Sequence, residues 1–346
     1  MTPQLEEESE RLVRSWMRHD AEMLGTYLVA DVEDPRLNLQ SLLSRHFLLR
    51  ALFGERFEGL MAEEGRFALA MNWLRRLFHR GGGPEAAACV LYALERRADN
   101  VEGIDIPEFM AQTFAALPKT VGDRVVPNYV RTFLEGAVTS TVQAGFEEPQ
   151  LRTFFDVWRT ALAFPGGFPP EAPRLSVLEP ACGSANDYRG LVGCGLDGLV
   201  DYTGFDLCSR NVENARALFP AARFQAGNVF EIPAAEGAFD LCFAHDLFEH
   251  LSMEGLEAAV AELCRVTRQG ISIGFFNMDE IPDHEVRPVE EYHWNRLSMG
   301  RVRALFARQG FAAQVIHIGT FLRDQFGGED THNPNAYTFY LTRSAR

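Results

Sequence analysis

The stretch "VLEPACGSANDYRG", Val177 to Gly190, decides how the second half of the chain folds. Strand-forming residues end at the carboxylate of Glu179, and the small residues Ala181, Gly183 and Ala185 follow at every second position. A polar run that is typical of a helix start comes next. Because small side chains let a ligand approach the backbone closely, this strand–turn–helix unit predicts a binding site at the end of a buried strand.

Short β-rich segments alternate with helical segments through the rest of the second half, which predicts βαβ units and a parallel sheet. The last two β-rich segments have only a loop between them, and they predict an antiparallel pair on the edge of the sheet. The predicted strands are residues 175–180, 200–207, 222–228, 239–245, 270–277, 312–322 and 335–343, and the predicted helices are residues 211–219, 253–266 and 299–310.

Polar side chains follow the second and third predicted strands. Asp206 lies 27 positions after Glu179, and a carboxylate there can accept two hydrogen bonds from a ribose diol. Asn228 follows "ARFQAG" and lies where a polar group could reach an adenine amine. Ligands of doubly wound sheets bind beyond the carboxyl ends of the strands, so we expect these side chains to share one site.

The order and spacing of these landmarks resemble the class I S-adenosylmethionine-dependent methyltransferases, over about residues 174–346. The first motif of that family reads acidic-x-Gly-x-Gly-x-Gly, and here alanine replaces two of the three glycines. "GNVFEIP" resembles the third motif, "FDLCFAHDLFEHL" the motif of the fourth strand, and "VTRQGISIGFFN" the segment that leads into the fifth. The resemblance implies a Rossmann-like doubly wound α/β sheet with an antiparallel C-terminal edge hairpin, and S-adenosyl-L-methionine as the cofactor.

The resemblance also implies which residues form the site. It places His250 on the acceptor side and His245 nearer the cofactor, and both are candidate catalytic residues. The alternative for Glu249 and His250 is that they only fasten the following helix to the sheet. The cofactor-binding candidates are Glu179, Ala181, Gly183, Ala185, Asp206, Leu207, Asn228, Val229 and His245, and the substrate-binding candidates are Asn277, Arg287, Tyr292 and His293.

The segment after the fifth predicted strand carries two further expectations. Trp294 is expected to pack against the last helix rather than to bind substrate. The acidic run "DEIPDHE", residues 279–285, holds oxygen and imidazole ligands, but acidic loops are usually solvated, and we predict no metal.

The first half of the chain shows apolar residues at helical spacing, which predicts an all-helical domain over residues 1–165. The run "AFPGGFPPEAPRL", Ala163 to Leu175, predicts a linker, and a second domain follows over residues 174–346. This helical domain caps the active site, holds a partner subunit as in a homodimer, or recognises a large substrate. Its clusters of arginine and histidine, at residues 44–50 and 75–80, either bind an anionic substrate or lie on solvated helix faces.

Composition limits the function. The net charge of −15 disfavours general affinity for nucleic acid or for anionic membranes. The six cysteines form no CxxC pair, and neither a secretory signal nor an apolar run of about 18 residues is present, so we predict a cytoplasmic protein. The leading hypothesis is O-methylation of a small molecule, because "AHDL" stands where many amino-methylating members carry (D/N)PP(Y/F). The alternatives are methylation of a protein or peptide held by the helical domain, and a catalytically silent cofactor-binding scaffold.

Overall fold

The computed structural model describes residues 1–20, 24, 38–54, 58–77, 83–116, 120–121, 124–125, 174–328 and 333–344. A seven-stranded mixed sheet forms the centre of the second half of the chain. Its strands are β1 (Leu175–Pro180), β2 (Val200–Asp206), β3 (Arg223–Ala226), β4 (Phe239–His245), β5 (Thr267–Phe275), β6 (Phe311–His317) and β7 (Tyr337–Arg343).

The strand order across the sheet is β6–β7–β5–β4–β1–β2–β3. Strands β1 to β5 pair in parallel, whereas β7 runs antiparallel to both of its neighbours, β5 and β6. This arrangement confirms the predicted doubly wound sheet with an antiparallel C-terminal edge. The order reverses between β1 and β4, so the crevice at which such sheets bind ligands lies beyond the carboxyl ends of these two strands.

Helices cover the sheet. Within the described residues they are α1 (Pro3–Met17), α2 (Leu39–Phe53), α3 (Glu58–Leu77), α4 (Gly83–Glu95), α5 (Glu108–Ala116), α6 (Asn186–Gly193), α7 (Ser209–Leu218), α8 (Met253–Val266), α9 (Met299–Arg308) and α10 (Ile318–Phe326). Two 3₁₀ turns, Asp197–Leu199 and Phe248–His250, precede β2 and follow β4.

Helix α8 begins and ends where the sequence predicts, and the sequence shows why. The hydroxyl of Ser252 accepts a hydrogen bond from the Gly255 amide at 2.9 Å and caps the first turn. Apolar residues at helical spacing, from Leu256 to Leu263, are buried against the sheet.

The C-terminal edge differs from the prediction. The run "AAQVIHIGTFL" was expected to be one strand, but β6 ends at His317 and α10 begins at Ile318. The imidazole Nδ1 of His317 accepts a hydrogen bond from the Thr320 amide at 3.3 Å, and this cap starts the helix within an apolar segment. A helix therefore joins β6 to β7, where the sequence predicted only a loop.

The helices of the first half pack on the sheet and share its core. Leu42, Phe47 and Val90 belong to the same buried apolar cluster as Val177 of β1 and Tyr340 of β7. The Tyr340 hydroxyl donates to the Leu43 carbonyl of α2 at 2.7 Å. Two short antiparallel strand pairs also occur in this half, residues 100–101 with 104–105 and residues 120–121 with 124–125.

The two-domain division stays a prediction, because most of its expected linker, residues 163–173, lies outside the described residues. No helix in the described part of the chain is long and apolar enough to cross a membrane.

Candidate active site

The turn between β1 and α6 contains the residues that correspond to the glycines of the family motif. Ala181, Gly183 and Ala185 all adopt positive φ angles, 53°, 53° and 70°. A left-handed conformation costs an L-residue about 1–2 kcal/mol, which explains why this turn favours glycine. The two alanines adopt this conformation although they are not glycine.

Asp206 at the end of β2 holds this turn in place. Its Oδ2 accepts from the Gly183 amide at 3.0 Å, and its Oδ1 accepts from the Cys208 amide at 2.8 Å and from the Asn211 side chain at 3.1 Å. Burial raises the pKa of Asp206, and these three hydrogen bonds work against that rise. A carboxylate has about four acceptor sites, so one remains for a ribose hydroxyl.

The helix starts beside β1 and β2 fit an anionic or polar ligand. Helices α1, α2 and α8 each begin with a side-chain N-cap bond, whereas α6 and α7 begin without one. Their first amides are available to a ligand group such as the carboxylate of a methionine moiety. The residues present therefore fit S-adenosylmethionine at the predicted edge of the sheet.

Helix α1 lies across this same edge. The Glu8 carboxylate accepts from the amide of Ser252, at 2.7 Å, and from its hydroxyl, at 2.5 Å. The Asn228 amide donates to the Ser9 hydroxyl at 2.8 Å, and Arg210 donates to the Met17 carbonyl at 3.2 Å. These contacts place the helix over the ends of β2 and β3.

Two other cofactor candidates lie under α1. Val229 is 8% exposed, and Leu207 is half-buried against the apolar cluster that includes Leu5 and Leu12. With Asn228 and Asp206, they are gathered near one end of the crevice.

Glu179, the acidic residue of the motif, is buried and hydrogen-bonded within the protein. The hydroxyl of Tyr202 donates to its Oε2 at 2.5 Å. Burial, together with the nearby charge of Asp187, raises the pKa of Glu179 well above its ordinary value.

His245 at the end of β4 has a partner on each ring nitrogen. Its Nδ1 lies 2.8 Å from the Asp187 carboxylate, and its Nε2 lies 2.8 Å from the Ser44 hydroxyl of α2. Burial lowers the pKa of His245, but the charge and hydrogen bond of Asp187, with Glu179 and Asp246, outweigh burial and raise it to about 9. The ring is an imidazolium that donates from both nitrogens, so it has no lone pair with which to remove a proton from an acceptor.

Glu249 fastens the turn after β4 to the segment after β5. Its Oε1 accepts from the amides of Phe276, at 2.7 Å, and Asn277, at 3.2 Å. Burial and the charge of Asp246 raise the pKa of Glu249 to about 8. The sequence left open that Glu249 fastens the following helix to the sheet; the bonds observed here join two loops beyond the ends of β4 and β5.

His250 lies in a group of aromatic rings that we call the aromatic cluster: His250, Phe276, Tyr292 and Trp294. The His250 ring centroid is 5.3–5.6 Å from the other three, and Phe276 and Trp294 are 4.8 Å apart. The Nδ1 of His250 lies 3.1 Å from the His293 carbonyl. Burial lowers the pKa of His250, and the bond to that carbonyl works against this.

The tautomer of His250 follows from these partners. A carbonyl oxygen only accepts, so Nδ1 must carry the proton. Because the lowered pKa keeps the ring neutral near pH 7, Nε2 carries a lone pair. This nitrogen can accept a proton, which distinguishes His250 from His245.

The four predicted substrate-binding residues divide into two pairs. Tyr292 and His293 lie directly against His250. Asn277 is used structurally, because its side chain donates to the Asn295 carbonyl at 2.9 Å. The backbone of Arg287 bonds to Asn295 and Trp294, and its side chain is exposed.

Trp294 was expected to pack against the last helix, and the ring contacts observed for it are with the aromatic cluster. The ring packs on Phe276 and His250, and 42% of the residue is exposed.

The acidic run at residues 279–285 forms ion pairs with arginines. Arg301 pairs with Asp283 at 2.5 Å, and Arg296 pairs with Asp279. No cluster of three or more His, Cys, Asp or Glu side chains suited to a metal occurs among the residues that the structure describes.

Within the cluster at residues 44–50, Arg45 and His46 lie in the protein interior, whereas Arg50 is exposed. Arg45 and His46 are each 1% exposed, and both pair with Glu64 of α3, at 3.1 and 2.9 Å. Burial lowers the pKa of His46, whereas the charge of Arg45 and the bond to His46 overcome burial and hold Glu64 at about 2. This ion pair joins α2 to α3. Of the second cluster, residues 78–80 lie outside the described residues.

Sequence analysis missed two residues of the site, Asp187 and Ser44. Asp187 stands two positions after the motif turn, and a carboxylate in the first turn of a helix was a signal available in the sequence. Ser44 lies 201 positions from His245, and no local pattern marks it.

Comparison with known proteins agrees with this geometry. Residues 177–270 match the family described as "Methyltransferase domain". No curated protein gives a significant sequence match.

Solved structures give distant matches. A SAM-dependent methyltransferase from Methanosarcina mazei is 12% identical, with a TM-score of 0.39 over 50% of this chain and 94% of its own. One from Mesorhizobium loti is 13% identical, with a TM-score of 0.39 over 51% and 94%. The [4+2]-cyclase SpnF is 13% identical, with a TM-score of 0.40 over 61% and 84%. These TM-scores are too low to support a functional assignment. The assignment depends instead on the strand order of the sheet and on the match to the methyltransferase family.

Residues 177–270 therefore form a methyltransferase domain, and the sheet around them has the strand order of the class I fold. The family match supports an S-adenosylmethionine-dependent methyltransferase, and the residues at the ends of β1 and β2 fit S-adenosylmethionine as its cofactor.

Proposed function

We propose that the protein methylates a hydroxyl oxygen of a small molecule and that His250 accepts the hydroxyl proton. The observation that supports this most directly is the neutral His250 ring, whose Nδ1 is committed to the His293 carbonyl while Nε2 keeps its lone pair. A neutral imidazole with one fixed donor is the form of histidine that acts as a general base.

Each nearby residue has a separate role in this proposal. S-adenosylmethionine, when bound, supplies an electrophilic methyl group on a sulfonium. Asp206, Leu207, Asn228 and Val229 hold its nucleoside part, and the β1–α6 turn with Glu179 faces its methionine part. His245 keeps its positive charge at the end of β4 and orients the backbone there, because both of its nitrogens are bonded.

Helix α1 supports a small acceptor rather than a large one. It bonds to Arg210 at the start of α7 and to Ser252 at the start of α8, and in this proposal it covers part of the crevice and helps to exclude water. We also propose, from the sequence, a cytoplasmic location and a homodimer formed through the helical half.

The test compares His250→Ala with His250→Gln in a methyl-transfer assay on a panel of small hydroxyl compounds. General-base loss lowers turnover about 100-fold or more at pH 7, while affinity for S-adenosylhomocysteine changes little. The deficit should shrink as pH rises through the pKa of the acceptor, because the acceptor then ionises without help. Exposed His19, changed to Ala, is the matched control and should leave turnover intact.

If turnover and cofactor affinity fall equally in the His250 variants, His250 binds the cofactor rather than the acceptor. A deficit that stays constant with pH would refute the base role.

A further inference from the structure

The aromatic cluster has an exposed side in the part of the chain that the structure describes. Trp294 is 42% exposed and Val286 is 48% exposed, and they are two of the five large apolar residues that are exposed in the described part of the chain. Both belong to the segment after β5, and Trp294 touches the His250 ring. Exposed apolar side chains that lie next to one another often mark a binding surface. The exposure of Trp294 beside the His250 ring therefore suggests that Trp294 contacts a ligand.

We propose that Trp294 is a stacking platform for a planar aromatic acceptor, and that it selects phenolic over aliphatic hydroxyl groups. This inference rests on the proposed function, because it uses His250 as the proton acceptor. Aromatic pairs prefer centroid separations of 4.5–7 Å in offset or edge-to-face geometry. Trp294, Phe276 and His250 already adopt that geometry, so an acceptor ring stacked on the exposed face extends the same arrangement next to the His250 ring.

The charges around the cluster favour a neutral or phenolic ring over a cation. Glu290 and Glu291, the acidic residues adjacent to Tyr292, are paired with Arg18 at 3.2 and 2.6 Å. Arg14 also lies 3.9 Å from Glu291. Because these two carboxylates are paired with arginines, they attract an ammonium ligand only weakly. The cluster is therefore expected to bind a ligand ring mainly by π-stacking.

The substitution Trp294→Leu keeps an apolar side chain and removes the ring, and Trp294→Phe keeps a smaller ring. Tyr92→Leu is the matched control, because Tyr92 is 50% exposed and lies on α4, outside the cluster. The acceptor probes are catechol and 1-naphthol, with acetohydroxamic acid as an aliphatic compound that also has an acidic hydroxyl.

The first measurement needs no turnover. Protein saturated with S-adenosylhomocysteine is titrated with 1-naphthol by calorimetry. Saturable binding should weaken by about five- to tenfold in Trp294→Leu, recover in part in Trp294→Phe and be unchanged in Tyr92→Leu. The second measurement is methyl transfer, where Trp294→Leu should lower kcat/KM for catechol by a similar factor and leave acetohydroxamic acid unaffected.

The outcomes separate the two proposals. Aromatic binding that depends on Trp294, without methyl transfer to any probe, would show that Trp294 binds an aromatic ligand but would overturn the proposed function and the role of Trp294 in selecting an acceptor. Methyl transfer to acetohydroxamic acid but not to catechol would sustain the function and overturn the platform. Absence of aromatic binding in the folded wild-type protein would also overturn the platform.

Discussion

The buried pair of Asp187 and His245 should make the stability of the protein fall as pH rises from about 6.5 to about 9. The pKa of His245 is about 9 in the folded protein, against 6.5 when the chain is unfolded. A raised pKa contributes stability that is complete below pH 6.5 and is lost as pH rises through the folded value. At about 1.4 kcal/mol per pKa unit, this contribution is on the order of 3 kcal/mol.

The substitution Asp187→Asn tests this origin. It removes the charge that overcomes burial, so the His245 ring becomes neutral and the variant loses about 3 kcal/mol near pH 6.5. Thermal unfolding should show a Tm about 5–10 °C below the wild type at that pH. Near pH 10 the wild-type ring is itself neutral, so the two Tm values should converge.

The control is Asp201→Asn. Asp201 lies on β2, is 68% exposed and pairs with exposed Arg174 at 3.4 Å, so its loss should cost less than about 1 kcal/mol at either pH. Other buried acids, such as Glu249, contribute equally to wild type and variant and cancel in the difference. A Tm gap that is the same at pH 6.5 and pH 10 would refute the ion-pair account, because the gap would then reflect packing alone.

Three further predictions concern stability. Ala181→Gly should stabilise the fold by up to about 1 kcal/mol in urea unfolding, because glycine relieves the positive φ angle of an exposed residue, whereas Ala185→Gly should gain less because the Ala185 methyl is buried in the core; a clear loss for Ala181→Gly would contradict this. The pKa of Glu249, raised to about 8, makes the wild type lose about 1.4 kcal/mol per unit as pH rises from 4.5 to 8, so Glu249→Gln should flatten that slope, and an unchanged slope would contradict the shift. Tyr202→Phe should cost about 1–3 kcal/mol in chemical denaturation, because it leaves buried Glu179 without its hydroxyl donor; a neutral result would mean that another donor replaces it.

The sequence predicts the central sheet well because local pattern and burial agree there. Strand β4 matches its predicted bounds, since residues buried on both faces of a parallel strand form a continuous apolar run. Helix α10 was missed because Ile318 and Phe321 are typical of strands, and the cap from His317 outweighs that propensity.

The candidate site is predictable only where its parts are close in sequence. The β1–α6 turn and Asp206 follow from a motif with fixed spacing. The partners of His245 do not, because Ser44 reaches it across 201 residues and depends on how α2 docks on the sheet. Gly274 allows that approach: a Cβ there would lie 2.8 Å from both His245 and Gln40.

The central claim is that the crevice beside β1 and β2 binds S-adenosylmethionine, with Asp206 on the ribose. Calorimetry with S-adenosylhomocysteine tests it most directly, using wild type, Asp206→Asn and the exposed control Asp201→Asn. A charge-assisted hydrogen bond contributes about 1.5–3 kcal/mol, so Asp206→Asn should weaken binding at least tenfold, while wild type and control bind one equivalent alike. A folded wild-type protein that gives no heat of binding, or an Asp206→Asn variant with wild-type affinity, would contradict the account.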